Sequence, residues 1–170
     1  MVKEEIWQWW EKAILKVWIT VSIGVTAPLT LFGKLIKVGV HFDEDVRQVI
    51  SEVNTEFVAA TTAKDVKLAR LRVGDLGFRE RPTLLQIIEQ AAKIGLTPCS
   101  LAMVLHLSLA LVQEKSPLCL YVIIREKSKP EGSWMYSILP NNKVNELCVH
   151  TDNPDHKWDL DTELVWVIED

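Results

Sequence analysis

The segment His150 to Asp161, HTDNPDHKWDLD, sets two histidines among four aspartates. Imidazole and carboxylate together bind zinc or manganese and exchange protons near neutral pH, which makes His150, Asp152, Asp155 and His156 the candidate metal ligands. Their spacing matches no established ligand frame, and Asn, Asp and Pro at this density also satisfy turn geometry without any chemistry. Cys99 offers a thiol and His106 a base for it, the pair a nucleophilic hydrolase would need. A helix ending at Ile94 would point its negative end towards Cys99 and raise the thiol pKa, against reactivity, and no oxyanion donor is identifiable. A Cys after a helix and a His in an apolar run are more often packing residues.

Other chemistries find less support. Lys64, Lys67, Arg70, Arg72, Arg79 and Arg81 form a local basic segment, yet Asp65, Asp75 and Glu80 interleave with them and the net charge is -4. Such a chain has no global positive field for phosphates, so nucleic acid is disfavoured as a partner. A helix-turn-helix would need Thr97 to Val112 as its recognition helix, and that stretch has no Lys, Arg, Asn or Gln to reach phosphates and base edges. Gly-rich phosphate loops, a P-loop lysine and a GxSxG elbow are absent, and no motif requires a cofactor. Of seven tryptophans, Trp7, Trp9 and Trp10 cluster near the N-terminus. They offer anchors of the kind that dominate protein interfaces, although Trp packs equally well in cores.

These residues need elements to hold them. A length of 170 residues, 48% hydrophobic and 25% charged, suits a single folded domain over 1–170, with 1–15 as a Trp-rich helical extension. The odd set Cys99, Cys119 and Cys148 fits neither a disulfide framework nor a CxxC metal pair, which points to a reducing cytoplasm. No secretory signal is recognisable at the N-terminus, and Gly24 and Pro28 interrupt the uncharged run from Val17 to Gly33, so no membrane span is expected.

Alternation predicts a strand over Val17 to Val25. Pro28 opens a helix towards Lys37, and Val46, Val49, Ile50 and Val53 form the stripe of a second helix from Asp43 to Val53. Val66 to Val73 reads as a strand, GDLGFRERPT as a loop, and Pro82 or Thr83 to Ile94 as a helix stopped by a left-handed Gly95. In CSLAMVLHLSLALV, Leu101, Met103, Leu105, Leu107, Leu109 and Leu111 recur at every second position. This period of two predicts a turn over Pro98 to Met103, then a hairpin of strands near 105 to 112 and 118 to 126. Strands over Ser133 to Leu139, Glu146 to His150 and Glu163 to Ile168 complete an α+β reading: a mainly antiparallel sheet with helices packed on one face.

Asp75-Leu76-Gly77-Phe78, then Gly95-Leu96, Cys99, Leu107 and Leu109, Trp158, and the ending Leu164-Val165-Trp166-Val167 resemble a set of small bacterial proteins of unknown function. The resemblance spans Val66 to Ile168. This chain departs from it at Ser108 and Ala110, where those proteins carry polar side chains, and at KSKPEG, where they have an acidic loop. The resemblance brings no activity with it. The leading expectation is a cytoplasmic, non-catalytic domain binding a protein partner or itself. A metal- or thiol-dependent enzyme using the His150–Asp161 loop or Cys99 comes second, and a nucleic-acid-binding accessory protein third.

Overall fold

The computed structural model describes residues 16–55, 57–59, 62–127 and 132–169; the extension over 1–15, with Trp7, Trp9 and Trp10, lies outside them. The described strands are β1 (Ile19–Ile23), β2 (His41–Phe42), β3 (Lys64–Arg72), β4 (Leu96–Thr97), β5 (Tyr121–Lys127), β6 (Trp134–Ile138), β7 (Glu146–Thr151) and β8 (Glu163–Ile168). The helices are α1 (Pro28–Lys37), α2 (Glu44–Thr55), α3 (Leu84–Ala92) and α4 (Leu101–Gln113). The fold is α+β, built on one sheet in the order β1-β3-β8-β5-β6-β7-β2, with β4 also paired to β8.

The sheet is mixed rather than mainly antiparallel. β5 joins β8 in parallel at Tyr121↔Leu164 and Val122↔Val165, and β2 joins β7 in parallel at His41↔Glu146 and Phe42↔Leu147. Helices cover both faces, not one. On the first face Val66, Leu68, Val122, Ile124, Val165 and Val167 pack with Leu31 and Leu35 of α1, Val46 and Ile50 of α2, and the length of α4. On the second, Ala69, Leu71, Ile123, Leu164 and Trp166 pack with Leu84, Ile87 and Ala91 of α3. Strand parity enforces this division: neighbours along β3, β5 and β8 point to opposite faces, and both sets are apolar.

The expected strand near 105–112 is a helix. In α4 the Ser100 hydroxyl caps the first turn by accepting the Met103 N–H at 3.3 Å, and the Ser108 hydroxyl donates to the Val104 carbonyl at 2.7 Å. Leu101, Met103, Val104, Leu105, Leu107, Ser108 and Leu111 are buried, and the half-buried outer side, Ala102, His106, Leu109 and Ala110, is itself mostly apolar. An outer side of Ala and Leu with a single His hides the 3.6-residue signal on which a helix reading depends, and the leucine alternation left behind imitates a strand. Each fully buried leucine contributes about 1.5–3 kcal/mol over its exposed state, which favours this placement between α1, β1 and β5. The other helices keep their sequence signals. Thr83 and Gln86 cap α3 reciprocally, and Gly95 follows at φ 80°. The expected DLGF loop is a 3₁₀ turn over Val73–Leu76, closed by Gly77 at φ 93°.

Candidate functional site

A groove lies where α2 crosses the β5–β7 end of the first face. Asp43 precedes α2 and its Oδ1 accepts the Val46 N–H at 2.9 Å, while Glu44 and Asp45 complement the positive end of the helix. Val46 and Ile50 are buried against the sheet, but Val49 and Val53, one flank over, are only half-buried. Opposite them stand Met135 of β6 and Val149 of β7. Between these two apolar walls is a groove of about 750 Å³.

Carboxylates rim it: Asp45 and Glu52 on α2, and Glu126 on β5. Glu52 takes a 3.4 Å bond from Gln48 on the helix, whereas Glu126 Oε2 is buried with no hydrogen-bond partner among the described residues. The ion pairs among the described residues are Arg70–Glu163, Arg72–Asp75 and Arg81–Asp159, so none neutralises the rim. Lys127, the cation beside the groove, lays its ammonium 4.9 Å from the centre of the Trp134 ring, and Trp134 belongs to the second face.

The β7 wall has an unusual edge. β2 pairs with Glu146 and Leu147 and then leaves the sheet for α2, while β7 runs on to Thr151 paired only with β6. Asp152 N–H donates to the Trp134 carbonyl at 2.7 Å, which sets the phase of the antiparallel ladder. Bonds to β6 therefore fall on His150 and Cys148, and the amides and carbonyls of Val149 and Thr151 point outward along the groove.

The second face of β5–β7 carries the candidates read from the sequence. His150 lies 5.5 Å from Tyr136, Tyr136 lies 4.9 Å from Trp158, and Trp158 lies 5.6 Å from His156, so two aromatic rings intervene in series between the imidazoles. His150, Asp155 and His156 are exposed, Asp152 is buried, and no group of three or more His, Cys, Asp or Glu side chains among the described residues is arranged to hold a metal ion. Burial raises the Asp152 carboxyl; the nearby Trp158 indole and His156 favour its charged form without reversing that. The loop is tied down elsewhere. Arg81 pairs with Asp159 at 3.3 Å and donates to the Lys157 carbonyl at 2.8 Å, and Trp158 N–H donates to the Pro82 carbonyl at 2.8 Å.

Cys99 forms a bridge with Ile124 between β5 and β8 and is 1% exposed, its thiol pushed up to about 12 by burial, with Arg125 acting weakly the other way. The shift runs in the direction expected from the sequence, and its leading cause is desolvation by burial. His106 is half-buried on α4, lowered by burial and then by Lys34, and its buried Nε2 has no partner. In the basic segment, Arg70 pairs with Glu163 and lies over Trp18, and Arg72 pairs with Asp75.

The sequence places Val49 and Val53 with Val46 and Ile50 in one apolar helix stripe and does not divide core from flank. The signal it missed is width: Val46 and Ile50 fill the core, and the flanking pair beside Asp45 and Glu52 is left over. The half-free edge of β7 had no sequence signal, because the two-residue β2 is too short to read. No protein-family model, curated protein or solved structure matches the chain.

Proposed function

We propose that this protein is a non-catalytic domain that holds a segment of a protein partner, and that it does so in the groove between α2 and β7. The observation that carries the reading is the groove's construction: apolar walls of Val49, Val53, Met135 and Val149 beneath carboxylates that form no ion pair among the described residues, Lys127 being turned to the Trp134 ring. Apolar area supplies affinity, and a small number of placed polar groups supplies orientation. The burial of Cys99 lends support, since a sealed, protonated thiol is a poor nucleophile.

Panning random displayed peptides on the immobilised protein tests this. Enriched peptides are expected to lose binding on Val53→Arg, a half-buried position whose change leaves the unfolding midpoint nearly unmoved. Peptides indifferent to Val53→Arg would overturn the groove assignment. Substrate turnover that disappears in His156→Ala or Cys99→Ala would overturn the non-catalytic reading.

A further inference from the structure

We infer that the groove takes its occupant as an added β-strand: an extended, positively charged segment of a partner protein pairs with β7 at Val149 and Thr151, in the lane that β2 vacates. This rests on the interaction reading and specifies its mode. Three independent features converge on it.

The first is the edge. Beyond Leu147, β7 has no neighbour on its outer side among the described strands, and the ladder phase turns the Val149 and Thr151 backbone groups that way. Such a row of unpaired groups is a template for another strand, with main-chain bonds giving affinity and alternate side-chain positions giving specificity. Dimensions are the second. The groove-lining stretch of α2 from Asp45 to Thr55 is roughly 15 Å long at ~1.5 Å per residue, enough for about four or five extended residues at ~3.3 Å each. A second helix laid there would leave the edge of β7 unpaired, whereas a strand satisfies it.

Charge is the third. Of an added strand's alternating side chains, the set on the α2 side enters the groove, where its apolar members meet Val49 and Val53 and its cationic members meet Asp45 and Glu52. Glu126 Oε2, on β5 at the far side of the groove, is a buried acceptor with no hydrogen-bond partner among the described residues, and a long Lys or Arg side chain reaching across the groove supplies a donor. An acidic segment would add like charges to three unneutralised carboxylates.

The test uses the full chain, labelled with ¹⁵N, and two eight-residue probes, two repeats of Val-Thr-Lys-Thr and two of Val-Thr-Glu-Thr, which set Val and the charged residue in turn along one side of the strand. The Lys peptide is expected to bind roughly tenfold or more tightly than the Glu peptide at low salt. Its affinity should fall as salt rises from about 50 to about 500 mM, and the Val149 and Thr151 amides should gain protection from hydrogen exchange. Thr151→Pro removes one outward N–H at an edge position that tolerates proline and should weaken binding roughly two- to tenfold. Glu126→Gln should reduce the preference for Lys over Glu, and it keeps the test informative if the proline variant fails to fold.

Equal binding of the two peptides overturns the charge specificity, and binding without protection of the two amides overturns strand addition; in both cases an interaction role survives. No binding of the Lys peptide overturns this inference, while the interaction reading stands or falls separately on the panning result. A dimer formed without peptide, with the same amides protected, overturns it in favour of a second copy as occupant.

Discussion

Two helices share the first face of the sheet and use it in opposite ways. α4 buries Leu101, Met103, Val104, Leu105, Leu107, Ser108 and Leu111 and seals the sheet beneath it, and even its half-buried outer side is mostly apolar, with Ala102, Leu109 and Ala110 beside His106. α2 buries only Val46 and Ile50, and its flank towards β7 stays open over Val49 and Val53. A helix with a narrow apolar stripe on a wide sheet leaves space beside it, whereas one that is apolar all round leaves none. Chemistry-bearing side chains inside the sealed region, Cys99 and Ser108, are thereby enclosed in packing, while carboxylates along the open one can meet a partner.

The largest test of this contrast is chemical access. At mildly alkaline pH an alkylating reagent should modify the exposed Cys119 at least about a thousandfold faster than Cys99, whose reaction waits for an opening of the sealed region. Intact mass against time measures it, and comparable rates would break the contrast. Next in size, Leu105→Ala in α4 should cost about 2–5 kcal/mol in denaturant unfolding, since it empties a fully buried site. The counterpart in α2, Val53→Ala, should cost about 1 kcal/mol or less, because half of the side chain is already in contact with solvent. Ser100→Ala, which removes the cap of α4, should cost about 1 kcal/mol.

The smallest effect concerns the other face of β7. Burial raises Asp152 above 3.8 in the folded chain, so its stabilising contribution is complete below that pH, where both states hold the proton, and is lost as pH rises through the higher folded value. Asp152→Asn removes that loss, and its unfolding midpoint relative to the parent should therefore rise between about pH 3 and about pH 7. A midpoint difference that does not change with pH would show that Asp152 is as well solvated folded as unfolded.

The same contrast explains what the sequence disclosed. α2 and α3 were legible because amphipathic helices alternate at 3.6 residues and carry caps, Asp43 before one and Thr83 before the other. α4 was not, because its half-buried outer side carries Ala102, Leu109 and Ala110 where a polar face would stand, and the leucine alternation mimics a strand. The end strands β6, β7 and β8 were placed within a residue or two by alternation and turn residues, but their pairing was not: parallel joints such as β5 with β8 are made between segments far apart in the chain, and composition does not record them. The site was least legible of all. His150, Asp152 and Cys99 drew attention by residue type, while Val149 and Thr151 contribute main-chain groups that any residue except proline possesses.

The position of β8 bears on how the molecule assembles. Residues 163–168 are the last strand in sequence and yet sit in the middle of the sheet, between β3 and β5, with Trp166 wholly enclosed. As the chain is synthesised, β1 with β3 and β5 with β6 and β7 form two half-sheets joined by no strand until β8 arrives. Contacts of such long sequence separation form slowly, and until they form the inner edge of β3 is open to other chains. Folding should therefore be limited by the docking of β8, and substitutions there that spare the native state would act first on the yield of folded protein.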